Sequence, residues 1–466
     1  MKTYQDLQEA QKGGAKDLMS FLLGAINDHK SSDMYKTAVE ANLYMKHRNV
    51  FITNFVQITE DILGEKVISN GDMIKCVSGF FPMFVVRQNQ YLLGNGVMFG
   101  KEDTKDKLGG DDFDSILQFL GEGSLCSGVS FGFYNFDKIE IFKLVDPNGS
   151  SFVPLWDEEN GSLSAGIRFW QIDPQKPLRV TLYELDGYTD YIKRKDEDIT
   201  ELRPKRTYKQ IVRHSEIDGT EIYDGGNYPS FPIVPFWGNP EHQSELISIK
   251  SQIDIYDLIK SGFAEDEKEA QSIYYTISNA GGMDKKDLKE FLQNLKVFRV
   301  ANTNEETNIQ SHTVEVPYQS REAYLNRLEN DMYRDFMIAN LKDISAGNNT
   351  ATAIRAAYEA MDNKADRYEY CVRRFIDGIL AVAGIEDKYT FKRSALVNQS
   401  EETAMVMSAG LDYRTTVEHL PFISVDEREE VIARRAEEEM GRYDNTADNE
   451  PLPQEDENAA GGAEKP

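Results

Sequence analysis

The sequence predicts an α+β protein, and three observations carry that prediction. Between Gly128 and Tyr191 apolar residues alternate in short runs separated by turn residues, the pattern of antiparallel hairpins rather than a wound parallel sheet. Past Pro232-Ile-Val-Pro235-Phe-Trp237-Gly-Asn-Pro240 the hydrophobic period switches to that of helices for a long stretch. The 466 residues are 40% hydrophobic and 28% charged, an ordinary globular mixture. At roughly 150 residues per domain, two to four domains are expected.

In chain order, Tyr4, Leu7, Leu18, Phe21, Leu22 and Ile26 form an amphipathic helical segment. The apolar run Leu18 to Ile26 imitates a signal-peptide core. Asp6 and Glu9 precede it and polar Asn27-Asp28 follows, so it reads as part of the fold. Helices are expected over Met34–Tyr44, Val50–Ile62 and Asp112–Leu120. The strands include Ile139–Leu144, Gly166–Trp170 and Val180–Tyr183, with turns at Asp146-Pro-Asn-Gly149 and Glu159-Asn-Gly161.

After the boundary, Leu246, Ile249, Ile253, Tyr256 and Ile259 share one face of a helix over 241–266. An insert follows: an extended Ser272–Ser278, Gly281-Gly282, a charged helix over Asp284–Asn294 and a hairpin over Lys296–Pro317. Leu325, Leu328, Met332 and Phe336 mark a second helix, which ends before the polar loop Ser345-Ala-Gly347-Asn-Asn-Thr350. Asn349 or Thr350 can cap the next helix. That helix carries Ile354, Tyr358, Met361, Ala365, Tyr368, Val372 and Phe375 in one sustained helical period. An extended Tyr389–Lys392 and helices near Glu401–Ala409 and Val425–Glu439 complete the pattern. Ten acids and two bases lie between Glu437 and the end, a composition expected to be disordered.

Charge and motifs exclude several functions. With 52 bases against 79 acids the net charge is −27, which disfavours non-specific gripping of nucleic acid, because phosphate binding rests on clustered Lys and Arg. Cys76, Cys126 and Cys371 provide neither a disulfide framework nor a zinc knuckle and fit a reducing compartment. No stretch approaches the roughly 20 apolar residues of a membrane span, so a soluble chain is expected. His29, His47, His214, His242, His312 and His419 are scattered without metal-ligand spacing, and the acid pairs lack calcium-loop alternation. No cofactor or metal is therefore expected. Gly128-Val-Ser130-Phe-Gly132 matches a nucleophile elbow in letters, but strand-like residues follow it where a helix is required. Gly94-Asn-Gly96-Val-Met-Phe-Gly100-Lys101 departs from a phosphate loop at Asn95 and Glu102, and Asn95-Gly96 reads as a hairpin turn.

Two long helices flanking a small insert admit two readings. One is a helical hairpin carrying a lobe in an ordinary globular protein. The other is a pair of packed helices lining a ring or channel, with the insert as its rim, past which DNA slides because an acidic surface discourages sticking.

The order of pieces resembles the portal proteins of tailed bacteriophages, in particular those of long-tailed phages infecting Gram-positive bacteria. Met34–Asn49 (MYKTAVEANLYMKHRN) resembles their early helix motif, E-x-x-x-Y-x-x-x-x-N. Tyr91-Leu-Leu-Gly94-Asn resembles a turn of the family, and Phe152–Trp170 resembles its Pro-led strand segment. Glu245–Gly282, Asn348–Ile376 and Gly410–Val431 are similar to later segments, in the right order, over roughly residues 30 to 440. The acidic tail matches no motif.

The resemblance implies a portal fold. It has an α/β wing over 1–240, stem helices over 241–266 and 318–344, and a small α/β clip between them over 267–317. A tunnel loop over 345–351 leads to a long wing-to-crown helix over 352–383, a C-terminal wing and crown segment over 384–436 and the tail 437–466. It also implies a ring of about twelve copies at one capsid vertex of the virion, assembled in the host cytoplasm with scaffolding and major capsid proteins. The clip docks the terminase large subunit and later the head–tail connector, while double-stranded DNA passes through the channel. Ser345, Gly347, Asn348, Asn349, Thr350 and Lys342 are the candidate channel residues, and Lys285, Lys286 and Lys289 are candidates for terminase or connector contact. No catalytic residue is implied, because the packaging motor's ATPase is another chain. A minor head protein without a ring, and a hydrolase using Ser130, are the alternatives.

Overall fold

The computed structural model describes residues 2–60, 66–69, 73–146, 149–215, 219–270, 274–278, 308–312, 318–340, 351–394, 408, 413–419, 428 and 431–435. The chain divides into two compact units. One comprises residues 1–340 with 358–394, and the other 341–357 with 395–466.

The first unit is built on an eight-stranded sheet. Its strands are β4 (Val129–Tyr134), β5 (Ile139–Lys143), β6 (Ser151–Trp156), β7 (Leu163–Trp170), β8 (Leu178–Glu184), β9 (Gly187–Lys193), β10 (Thr200–Arg206) and β13 (Ile233–Trp237). The spatial order is β10-β9-β8-β7-β6-β5-β4-β13. All neighbours are antiparallel except β5 and β6, which run parallel and pair at Lys143 and Ser151. The expected hairpins are therefore present, with Gly161 in the turn between β6 and β7.

Period-two alternation loads both faces of the sheet. Val153, Leu155, Ala165, Ile167, Phe169, Val180 and Leu182 face one way and pack on two helices, α1 (Tyr4–Lys12) and α2 (Ala15–Ser31). Thr3 caps α1, its hydroxyl accepting from the Asp6 N–H while the Asp6 carboxylate accepts from the Thr3 N–H. The N-terminal amphipathic reading thus resolves into a helical hairpin, with Phe21, Leu22, Ala25 and Ile26 buried.

Phe131, Phe142, Phe152 and Tyr183 face the other way, into the larger core. There the sheet meets α3 (Asp33–Met45), α5 (Phe80–Leu93), α7 (Phe113–Ser127) and the long helix α10 (Ala351–Ala383). Phe236 of β13 stacks on Phe375 of α10 at 4.8 Å and 14°. A Cβ on Gly132 would lie 2.6 Å from the Phe375 ring, so a side chain there would force the ring aside.

The remaining elements of this unit are α4 (Val50–Asn54), α6 (Asp103–Asp106), α8 (Leu246–Ala270) and α9 (Tyr318–Asp335). They are joined by the two-stranded pairs β1 (Gln57–Glu60) with β2 (Lys66–Ser69), β11 (Lys209–Ser215) with β12 (Gly219–Gly226), β14 (Tyr274–Ser278) with β15 (Asn308–His312), and β3 (Val97–Phe99) with β16 (Tyr389–Phe391). Of the second unit, α11 (Tyr413–His419) is described, with Val417 buried and the Arg435 guanidinium 4.0 Å from the Tyr413 ring centroid.

Several expectations need correction. The helix expected over 50–62 stops at Asn54, and the chain turns into β1, because Val56, Ile58 and Thr59 favour the extended backbone that pairs with Lys66–Ser69. Asn95-Gly96 closes no hairpin. It forms the turn after α5, and β3 pairs instead with β16, which follows the long helix α10. The helix expected from 241 begins at Leu246, where the Ser244 hydroxyl accepts from the Leu246 N–H. The helix expected to run to 344 stops at Asp335. Within 296–317 the described strand β15 pairs with β14 and not within its own segment. The charged helix 284–294 lies outside the described residues. So do the loop 345–350, the tail 437–466 and all but Ser408, Arg428 and residues 431–435 of the helices expected near 401–409 and 425–439. Those seven residues are helical.

Candidate functional site

The helices α8 and α9 pack side by side and antiparallel. Gln252 Nε2 donates to Asp335 at 2.5 Å at one end, and Arg321 pairs with Asp266 at the other. Fourteen residues up one helix match fourteen down its partner, about 21 Å of shared length at 1.5 Å per residue. Beyond that end the chain enters β14 and returns through β15, so the pair forms one long hairpin with strands at its tip.

The apolar face of α8 is as the sequence implied, with Leu246, Ile249 and Ile253 buried. A second, polar stripe on the same helix is buried at its centre, at Asp254, Asp257 and Ser261, and half-buried at its ends. Lys250, Asp254, Asp257, Ser261 and Glu265 recur at helical spacing and meet partners from two distant segments. Tyr44 of α3 donates its hydroxyl to Asp254, which also pairs with Lys250 at 3.0 Å, and Glu40 pairs with the same lysine at 3.4 Å. Asn49 donates its side-chain amide to Asp257. The extended run 74–78 contributes main-chain donors: Ser78 N–H to Asp257 at 2.9 Å, Cys76 N–H to the Ser261 hydroxyl at 2.9 Å, and Ile74 N–H to Glu265. Glu40, Tyr44 and Asn49 are the three letters of the early helix motif, and their work is to hold α8.

Electrostatics follow from burial. Asp257 is fully buried, and desolvation raises its pKa against the opposing hydrogen bonds from Ser78 and Asn49. Burial likewise pushes the Tyr44 hydroxyl well up, reinforced by its bond to Asp254.

The two ends of the helix pair that lie against α10 meet at one lysine. Lys364 of α10 pairs with Glu245, the residue before α8, at 2.8 Å, and donates to the Phe336 carbonyl at the end of α9 at 2.9 Å. Its ammonium also lies 3.3 Å from the Phe336 ring centroid. Glu245 is held from behind by the Asn239 side-chain amide at 2.9 Å. Desolvation lowers the Lys364 pKa, with Glu245 pulling the other way.

The residues singled out from sequence are distributed as follows. Lys342, Ser345, Gly347, Asn348, Asn349 and Thr350 fall within 341–350, and Lys285, Lys286 and Lys289 within 279–307; both segments lie outside the described residues. Their described flanks are the ends of α9 and α10 and the strands β14 and β15. Ser130 is buried in a strand that follows a helix, the reverse of an elbow, and its hydroxyl donates to the Leu120 carbonyl at 2.6 Å. Gly128, the first glycine of that motif, turns from α7 into β4 at φ 88° against the Gln243 backbone. Lys101 donates to the Glu386 carbonyl at 2.7 Å. The three cysteines are free. Among the described residues no group of three or more His, Cys, Asp or Glu is arranged to hold a metal ion, and no helix is long and apolar enough to cross a membrane.

Asp254, Asp257, Ser261, Glu245 and Lys364 were not singled out from sequence. Their spacing was visible, but a polar stripe on an amphipathic helix ordinarily faces water. The partners that bury this one come from α3 and the run 74–78, in the first quarter of the chain.

The family model described as phage portal protein, SPP1 Gp6-like, matches residues 60–442. The chain is 25% identical over 418 residues to the portal protein of Bacillus phage SPP1, covering 82% of this chain and 80% of that protein. It is 27% identical over 220 residues to the portal protein of Clostridium phage phiCD119, covering 44% of this chain and 48% of that one. Among solved structures, it is similar to a chain in the neck of a native gene transfer agent particle computed with C12 symmetry. There the TM-score is 0.39 and the identity 10%, with 74% of this chain and 89% of that chain covered.

Proposed function

This chain belongs to the SPP1 Gp6-like family of phage portal proteins, and on that premise we propose that it forms a closed ring, of about twelve copies, at one vertex of a phage head. Double-stranded DNA is packaged and later ejected through the hole in that ring. The observation that carries this reading is the α8–α9 hairpin, whose helices are tied to each other by polar contacts at both ends and, through α8, to the rest of the unit by a buried polar seam. A conduit under load needs long elements that do not slide, and directional bonds to fixed partners resist sliding where apolar contacts alone would permit it.

In this reading residues 241–266 and 318–344, which hold most of α8 and all of α9, are the stem, residues 267–317 the clip, and 345–351 the tunnel loop. Residues 1–240 form the wing, joined by part of 384–436, with α10 running from wing to crown. Asn348, Asn349 and Thr350, with Ser345, Gly347 and Lys342 beside them, line the constriction. They touch phosphates through mostly uncharged donors, weakly enough for DNA to move. Lys285, Lys286 and Lys289 contact the terminase large subunit and then the head–tail connector. Scaffolding and major capsid proteins are the partners in assembly. The net charge of −27 suits a channel wall, since repulsion keeps the polyanion from sticking. The chain itself performs no catalysis; the energy of packaging comes from the motor.

Native mass spectrometry with negative-stain imaging tests the proposal. Twelve copies of a 53.0 kDa chain give a closed ring of about 640 kDa with a central hole. A monomer that stays monomeric in the presence of scaffolding and capsid proteins overturns it. Replacing Asn348 and Asn349 with Asp slows packaging while rings stay intact, and an unchanged packaging rate removes them from the channel wall.

A further inference from the structure

The end of α9 is built in an unusual way. Ile338 N–H donates to the Tyr333 carbonyl and Met337 N–H to the Arg334 carbonyl, both at 3.0 Å, which is the paired bonding of a Schellman cap. The position that such a cap places in the left-handed region is ordinarily glycine, and here it is Met337 at φ 60°. A side chain in that conformation is strained and persists only where its surroundings hold it.

Lys364 supplies the hold. Its ammonium takes the Phe336 carbonyl, one of the acceptors that a helix end leaves without an intrahelical donor, and a cation there also suits the helix dipole. The same ammonium lies over the Phe336 ring and on Glu245, so one charge touches the last turn of α9 and the residue leading into α8. Glu245 is anchored independently: its N–H donates to the Leu125 carbonyl at 3.0 Å, and the Ser244 hydroxyl donates to the Cys126 carbonyl at 2.5 Å. These contacts tie the start of α8 to the end of α7 and thus to the sheet.

We propose that Lys364 is the positioning residue that couples the long helix α10 to both members of the helix pair, so that the end of α9 and the start of α8 stay in register with α10 as DNA passes. The inference rests on the portal reading for its purpose and on the geometry alone for its mechanism. A lysine serves this better than a methionine or a glutamine, because a single charged head bonds a carboxylate and a carbonyl while also lying over an aromatic face.

The test uses the full chain, wild type and three variants: Lys364→Met, Lys364→Arg, and Lys364→Met combined with Met337→Gly. Amide hydrogen exchange is read at Phe336, Met337 and Ile338 and, for reference, along Val129–Tyr134. Lys364→Met speeds exchange at the three cap amides about tenfold and leaves the strand unchanged. Lys364→Arg keeps the charge and restores part of the protection. The added Met337→Gly restores more, because glycine relieves the strain that the lysine was holding. Unchanged cap exchange in Lys364→Met, or equal acceleration in strand and cap, overturns the proposal.

In reconstituted heads, Lys364→Met rings of normal mass package at least threefold less DNA per head, and normal packaging overturns the coupling role. A wild-type chain that forms no ring but shows the cap effect sinks the portal reading and leaves the local mechanism standing. Rings without the cap effect do the opposite.

Discussion

The sheet and the α8 seam are held by different physics. The sheet buries aromatic and aliphatic side chains on both faces, and its register follows from the pleat, since a slip of one residue would exchange the two faces. The seam buries Tyr44, Asn49, Asp254, Asp257 and Ser261, and its register follows from named donors meeting named acceptors. Apolar burial gives more stability and is indifferent to direction. A buried hydrogen bond gives less, but leaving one half of it unmade is costly. In this protein the sheet makes the unit stable and the seam sets where the long helix lies along it.

The largest expected loss comes from the apolar side. Phe375→Ala removes the ring stacked on Phe236 and packed over Gly132, and should cost about 3–5 kcal/mol in denaturant unfolding. A loss under about 1 kcal/mol would break the comparison. Next is a buried histidine, His29 of α2. His29 bonds the Leu144 carbonyl, and burial lowers its pKa to about 4 from 6.5. Below about pH 6.5 the unfolded chain takes up a proton that the folded chain refuses, so stability falls as pH drops toward 4. The wild type should lose up to about 3 kcal/mol more than His29→Gln over that window, and parallel pH profiles would refute it.

Asp257→Ala deprives the Ser78 N–H of its acceptor and the Asn49 amide of one of its two, and should cost about 2 kcal/mol. Asp257→Asn should cost less, because Asn49 can turn its oxygen toward the new amide. Tyr44→Phe removes one bond while Lys250 still holds Asp254, for about 1 kcal/mol. The smallest effect is at the surface. The Asp103–Lys107 pair is exposed, and Lys107→Ala should leave the Tm unchanged in a thermal scan.

Much of this molecule is legible in the sequence because local period and burial agree. The run Leu163–Trp170 alternates and is a strand. Tyr358, Met361, Ala365, Tyr368, Val372 and Phe375 recur at helical spacing and are buried on α10. The departures occur where two signals compete. Val50–Ile62 has helical spacing written in β-branched residues, and the backbone preference wins past Asn54. Asn95-Gly96 is a strong local turn signal, yet the strand after it finds its partner at Tyr389–Phe391.

The family, too, is legible from ordered motifs, none of them catalytic. By itself the sequence determined the α+β class, the switch from strand to helix near Pro240, the acidic balance and the resemblance to phage portals. Only the tertiary structure decided that Glu40, Tyr44 and Asn49 bind α8, that Asp257 is dry, and that Lys364 joins the two ends of the helix pair. The physical reason is that periodicity reports which side of an element is apolar. Whether its polar side meets water or a partner depends on contacts between segments far apart in the chain, such as Asn49 with Asp257, which no local window contains.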